Sequence, residues 1–412
     1  MRAVPSRDYL PARRSDRVTN FAAWLSAAAL LLTAAMTLRV SFGWRRIAEL
    51  KDMPPCSGAE APAVSVIVSA LNEADTIAAA LTSLLAIDYP ALEIIVIDDR
   101  STDDTPRIID RIASGQARVK ALHIDALPQG WLGKNHALQR GAEVAGGDYL
   151  LFTDADAMFA PSAVSRAIAY CDKHRIDHLT LFFNVIAHGG LLRMLILSFA
   201  AALLARFAPW KVKASRRHYI GVGGFNLVRR EAYFAIGGHA AMPLAVLDDL
   251  QLGRMLKAHG FQQAVLFGTD MVAIEWYRDV TALVRGLEKN IYAGFGYQLW
   301  QLAIVSLLVI ATRIWPWAGL LFTHGATRIV NVGTVCIMLL LYADMLRVRG
   351  WPLTALVFTP VVPLVELFIW WRSSLLAWWR GAIFWRGTPY RLKKLRHAQH
   401  ALDRKLDRAS KP

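Results

Sequence analysis

Tyr149-Leu150-Leu151-Phe152-Thr153-Asp154-Ala155-Asp156 reads as a buried strand that ends in two carboxylates. Its apolar run fits a strand covered on both faces. Its acidic end is poor core material. It suits a hard divalent cation, Mg²⁺ or Mn²⁺, which takes one or two carboxylates and leaves positions for phosphate oxygens. Short acidic triplets also occur as loop caps, so this one takes its meaning from what surrounds it.

Upstream, Val64-Ser65-Val66-Ile67-Val68-Ser69 is rich in β-branched residues and predicts a strand, followed by a helix over 74–85. A strand over 93–97 ends in Asp98-Asp99, and a helix over 103–113 follows, with Thr102 or Asp103 as its cap. A strand over 119–124, a helix over 135–145 and the strand over 149–153 complete the run. Strands alternating with helices imply an α/β fold, a mostly parallel sheet with helices on both faces. Ligands of such sheets bind beyond the carboxyl ends of the strands. Asn72-Glu73, Asp98-Asp99 and Asp154 to Asp156 all fall there.

Downstream, Asp248-Asp249 opens a predicted helix that runs to His259, where acidic residues also complement the helix dipole. Gly221-Val222-Gly223-Gly224-Phe225-Asn226 precedes a strand-like Leu227-Val228, and its glycines permit a close backbone approach or simply a turn. His136, His188, His218 and His239 share no metal-ligand spacing.

With 55% hydrophobic residues and a mean hydropathy of +0.32, the 412-residue chain is too apolar for a wholly soluble protein. Its net charge of +15 gathers at 2–17, 39–51, 206–217 and 372–411, beside hydrophobic stretches. That placement favours anionic lipid headgroups over nucleic acid, for which no motif is present. Cys56, Cys171 and Cys336 are too few and too scattered for a disulfide framework or a zinc site.

The expected organisation is a basic segment over 1–20, a transmembrane anchor over 21–40, a catalytic domain over 63–290, membrane segments over 298–371 and a basic tail over 372–412. The apolar stretches 298–323, 329–346 and 351–371 are the C-terminal candidates. Arg313, Pro316, Pro360, Pro363 and Glu366 interrupt them and are costly in lipid. Three full crossings would put the basic tail outside, against the positive-inside tendency, so a re-entrant hairpin at 360–363 is expected. The apolar stretch 191–207 looks short for a crossing. Its basic, Trp-containing flank suits an interfacial helix near a lipid entrance, and a buried helix is the other reading.

Four ordered motifs carry a resemblance: Ser69-Ala70-Leu71-Asn72-Glu73, the segment Ile97 to Thr105, the Asp-Ala-Asp triplet and Leu247-Asp248-Asp249-Leu250. Together they resemble the family 2 glycosyltransferases of GT-A fold. Gly130-Trp131-Leu132-Gly133-Lys134 and Trp385-Arg386-Gly387-Thr388-Pro389-Tyr390 are similar to membrane-bound members, such as the hopanoid-associated and carotenoid glycosyltransferases.

The resemblance implies a nucleotide-sugar donor, a membrane lipid acceptor of isoprenoid type and Mg²⁺ or Mn²⁺ as cofactor, and the sparse cysteines fit a reducing, cytoplasm-facing catalytic domain at the inner membrane. Asn72, Glu73, Asp98 and Asp99 would line the nucleotide pocket, with Lys134 facing the diphosphate or ribose. Asp154 would meet the ribose or the metal, and Asp156 would ligate the cation. Asp249 would be the catalytic base, with Asp248 beside it in the catalytic pair. Gly223, Gly224, Phe225 and Asn226 would form an acceptor-side segment. A single base and one metal imply single displacement with inversion.

A processive polysaccharide synthase is the competing activity, but the Gln-x-x-Arg-Trp string of such enzymes has no match. The comparable regions read Glu275-Trp276-Tyr277-Arg278 and Gly286-Leu287-Glu288-Lys289-Asn290. A catalytically silent membrane scaffold would not need both the triplet and a base. A transporter would need more crossings.

Overall fold

The computed structural model describes residues 12–56 and 61–409, with side chains from residue 19. Most of the basic segment expected at 1–20, and the last residues of the tail, lie outside that description. The chain divides into two compact units. One takes residues up to 42, 189–205 and 299–369, and the other takes 43–188, 206–298 and 370–412.

The second unit is built on an eight-stranded sheet. Its strands are β1 (Val64–Ala70), β2 (Leu92–Asp99), β3 (Val119–Ile124), β4 (Tyr149–Asp154), β5 (Met158–Phe159), β6 (His178–Val185), β7 (Asn226–Arg229) and β8 (Gln263–Ile274). The spatial order is β3-β2-β1-β4-β7-β6-β8-β5, with β3, β2, β1 and β4 all parallel. Side chains alternate across the sheet. Val64, Val66, Val68, Ile94 and Val96 enter one core, and Ile67, Ile95, Ile97, Leu150 and Phe152 enter the other. Helices Ile77–Leu85, Thr105–Gly115 and Ala163–His174 cover the first face. Gly133–Val144, Asp248–Ala258 and Leu392–Ala409 cover the second, the last through Leu402 and Leu406. Each such side chain contributes about 1.5–3 kcal/mol by leaving water.

One reversal positions the site. β7 lies antiparallel to β4, with Leu150 opposite Val228 and Phe152 opposite Asn226. The start of β7 therefore sits beside the end of β4. The glycine-rich loop before β7 is delivered to the acidic edge of the sheet.

The first unit is helical. By length and composition, four helices are long and apolar enough to cross a membrane: Thr19–Trp44, Gly190–Lys211, Leu299–Phe322 and Gly325–Val348. The shortest has 22 residues, and at ~1.5 Å per residue it exceeds the ~30 Å apolar core of a bilayer. The stretch expected to be short for a crossing is thus longer than its apolar run suggested. Helix Gly190–Phe207 ends at Ala208, whose φ is 43°, and a 3₁₀ turn at Pro209–Lys211 supplies the rest of that span. The stretch 351–371 is not one helix. A 3₁₀ segment, Leu353–Phe358, breaks at Thr359-Pro360-Val361 before helix Val362–Arg380 begins.

The two ionisable residues that are costly in lipid answer each other. Arg313 lies in a π turn, Ile310–Ile314, and its guanidinium donates to Glu366 Oε2 at 2.6 Å, Ser198 Oγ at 2.7 Å and Tyr342 Oη at 3.2 Å. Four helical segments of this unit meet at that cluster.

Candidate active site

The loops after β1 and β2 are knitted to each other. Asn72, at a φ of 56°, accepts from the Thr102 backbone N–H at 2.8 Å, while its own N–H donates to Ser101 Oγ at 2.9 Å. Asp103 accepts from the N–H groups of Ala74 at 3.2 Å and Thr105 at 3.0 Å. Helices therefore start at Ile77 and Thr105, later than the pattern predicts, because these residues hold the loops instead. Asp98 is buried, accepting from the Ser101 N–H at 3.2 Å and facing His123 Nδ1 at 3.3 Å. Asp99 is buried in a two-pronged pair with Arg100, at 2.7 and 3.0 Å.

Helix Gly133–Val144 begins against Asp99, and a methyl at Gly133 would collide with that carboxylate. Its first turn carries Lys134, whose Nζ lies 2.8 Å from Asp154 Oδ1 and 3.6 Å from Asp248 Oδ2. The ends of β4 and of helix Asp248–Ala258 thus meet at one ammonium. Burial opposes the charge on Lys134, but Asp154, Asp248 and Asp249 outweigh it and raise the pKa. Burial also works against the Asp154 carboxylate, yet Lys134, with Lys289 and Arg386 further off, holds it below the usual range. Asp156 is pushed up to about 7 by burial and by the charges of Asp154 and Glu73. Asp249 is likewise pushed up to about 7, by burial and then by Asp248. Its Oδ1 accepts from the Leu250 N–H at 2.7 Å.

Of the glycine-rich segment, Gly223 reaches the carboxylates. A methyl there would stand 3.1 Å from Asp154 Oδ2, 3.5 Å from Asp249 Oδ2 and 3.6 Å from Lys134 Nζ. Gly224 packs against Phe183 and Ile274, and Phe225 and Asn226 are buried. Asn226 donates to the Val222 carbonyl at 2.8 Å, and its Oδ1 lies 3.0 Å from His178 Nε2. Thr153 Oγ1 donates to the Gly224 carbonyl at 2.8 Å. These three residues hold the loop, and Gly223 presents its open face. A cavity of about 10 Å³, close to the minimum for one water, is lined by Lys134, Thr153, Gly223, His239, Asp248 and Asp249 among others.

Sequence reasoning assigned no role to Lys289 and Arg386, whose charges reach Asp154. The signal was present in the Trp385 to Tyr390 motif, which was matched to a family without a task. The Arg386 guanidinium donates to the Glu73 carboxylate and the Leu71 carbonyl, and Tyr390 Oη accepts from the Gly133 N–H at 3.3 Å.

Residues 65–249 match the family model described as Glycosyl transferase family 2. A β-monoglucosyldiacylglycerol synthase of Synechocystis sp. is 26% identical over 293 residues, covering 67% of this chain and 57% of the relative. The succinoglycan biosynthesis protein ExoO of Rhizobium meliloti is 32% identical over 158 residues, covering 37% of this chain and 42% of the relative. The chain thus spans little more than half the length of the first of these curated relatives. Among solved structures, the mannosyltransferase PcManGT from Pyrobaculum calidifontis, in complex with GDP-Man and Mn²⁺, superposes with a TM-score of 0.53 at 19% identity. That match covers 82% of this chain and 99% of the mannosyltransferase, and it supports a GT-A-like fold. The four motifs quoted from the sequence therefore lie on or beside the acidic edge of such a sheet, and all of them fall within or at the border of the residues, 65–249, that match the Glycosyl transferase family 2 model.

Proposed function

We propose that this protein transfers a sugar from a nucleotide-diphosphate donor to a membrane lipid, with inversion at the anomeric carbon. The observation that carries the reading is the open face of Gly223, which looks at once onto Asp154, Asp249 and Lys134. Donor-side and base-side groups share one small space there, kept clear by the absence of a side chain.

Asn72, Glu73 and Asp99 border the nucleotide, and Lys134 sets a point charge beside the phosphates. Asp154 and Asp156 would hold Mg²⁺ or Mn²⁺. The donor set fits such a cation: Asp154 and Asp156 are oxygen-donor carboxylates two positions apart, and Asp156 is pushed up to about 7 by burial and then by the charges of Asp154 and Glu73, the latter of which a cation would offset. When bound, the cation supplies Lewis-acid neutralisation of the leaving diphosphate. Asp249 takes the proton from the acceptor hydroxyl at its carboxylate. Burial and Asp248 raise its basicity toward the working pH, as general-base catalysis requires. Asp248 keeps Lys134 in place between the two acidic sets.

The four apolar helices give the lipid acceptor its setting. The basic clusters fit anionic headgroups at a cytoplasmic inner-membrane surface. The name of the Synechocystis relative puts diacylglycerol beside the isoprenoid-type lipids as acceptor classes to test. The deciding experiment incubates the purified full chain with labelled nucleotide sugars and total lipid extract, followed by mass analysis of the lipids. A single sugar added to one lipid class is the expected result. Transfer that survives both Asp156→Ala and Asp249→Asn would overturn the mechanism, and a polymeric product would replace it with processive synthesis.

A further inference from the structure

We propose that the hairpin at 382–391 is a working part of the donor site, with Arg386 and Lys289 gripping the donor diphosphate; this rests on the nucleotide-sugar reading above. Its strands, β9 (Ala382–Trp385) and β10 (Thr388–Arg391), pair antiparallel around the two-residue turn Arg386-Gly387. Both turn residues have positive φ, 47° and 81°, as a tight hairpin of matching twist requires. That geometry puts Arg386 at the tip.

The tip is docked on the donor side of the sheet. Arg386 donates one arm to the Leu71 carbonyl and another to the Glu73 carboxylate, both just past the end of β1. On the second strand, Tyr390 Oη accepts from the Gly133 N–H, in the turn that carries Lys134. On the first strand, the Trp385 ring lies 4.1 Å beneath the Lys289 ammonium. Lys289 is fixed from behind as well. Its neighbour Glu288 pairs with Arg372 at 2.9 Å and Arg380 at 2.8 Å.

The result is three cations, Lys134, Lys289 and Arg386, around the end of β4. Only Lys134 has a carboxylate in close contact on that strand. Burial first, and then the charges of Lys134 and Arg386, push Lys289 down to about 8 against the pull of Asp154 and Asp248. A cluster of like charges that destabilises its own members is relieved by an anion. Arg386 retains N–H groups beyond the two used, and a guanidinium fork matches phosphate oxygens in a way an ammonium does not. Glu73 then acts as a rest for Arg386, which the diphosphate competes for.

The test uses the full chain purified in detergent and a panel of nucleoside diphosphates and monophosphates (UDP and UMP, GDP and GMP, ADP and AMP). Equilibrium affinity is measured for wild type, Arg386→Ala, Arg386→Lys and Lys289→Gln. For the preferred base, wild type should favour diphosphate over monophosphate. Arg386→Ala should cut that preference roughly ten- to hundredfold, the worth of a charge-assisted hydrogen bond. Arg386→Lys should recover part of it, and Lys289→Gln should lower it by a smaller factor. The ratio is informative even where a variant is less stable, since damage to the fold weakens both ligands together. An unchanged ratio in Arg386→Ala overturns the hairpin's role while leaving the transferase reading intact. A wild-type chain that binds none of the diphosphates overturns that reading and the grip with it.

Discussion

Lys134 stands 2.8 Å from Asp154, so the first turn of a crossover helix is bonded to the far end of the strand that directly follows it. The same ammonium reaches Asp248 at 3.6 Å and is the closest cation to both acidic sets. Replacing it with methionine leaves Asp154, Asp248 and Asp249 to repel one another. Lys134→Met is expected to lower kcat by about a hundredfold, the scale of removing one preorganised electrostatic group. Lys134→Arg should restore part of the rate. Initial rates of transfer decide it, and a loss below threefold would remove Lys134 from the site.

Gly223 and Gly221 should part company on substitution. A methyl at Gly223 fits the backbone but takes the space next to Asp154, so Gly223→Ala is expected to fold normally and lose about tenfold in rate. A methyl at Gly221 would collide with the Asp249 carbonyl, so Gly221→Ala should lower the melting temperature as well. Thermal unfolding beside kinetics separates the two.

The rate should be bell-shaped in pH. Asp249 must be ionised to accept a proton, so activity rises as pH passes about 7. Lys289 faces Lys134, Arg386, Asp154 and Asp248, and it loses its charge as pH passes about 8, so donor affinity falls there. Lys289→Arg keeps the cation at high pH and should move the falling limb upward while leaving the rising limb in place. A falling limb unmoved in that variant would assign it to another group.

Arg313 and Glu366 form a buried pair, with side chains only 14% and 9% exposed. Removing one partner strands the other, so Arg313→Met is expected to cost about 3 kcal/mol. The double variant Arg313→Met, Glu366→Leu should recover much of that loss. Unfolding in detergent measures both, and equal damage in single and double variants would show that the pair itself contributes nothing.

Chelation is expected to abolish transfer, with Mn²⁺ or Mg²⁺ restoring it. In Asp156→Ala neither ion should restore more than a small fraction. Full activity in chelator would exclude the cation from the reaction.

The parallel half of the fold was open to reading because its signals are local. β3 spans 119–124 as its composition predicts, and β4 runs one residue further than expected, to Asp154. The acidic strand ends followed from the same pattern. The other half was closed because its information lies far apart in the chain. β7 has four residues, and its reversal depends on pairing with β4, 78 positions earlier in the register of Val228 with Leu150. Phe225 and Asn226 read as ligand contacts from their motif, yet they fill the core and hold a loop. The contact of Arg386 with Glu73 spans 313 positions, beyond any periodicity or spacing rule.

That span also orders events in time. The segments that carry Glu73, Asp154 and Asp249 are synthesised before the apolar helices between 299 and 348, and the hairpin bearing Arg386 and Tyr390 comes after them. All eight strands of the sheet thus precede those helices in the chain, whereas the residues that dock on Leu71, Glu73 and Gly133 follow them. Under the proposed function, the donor site is therefore the part of the molecule that waits for its last-made hairpin.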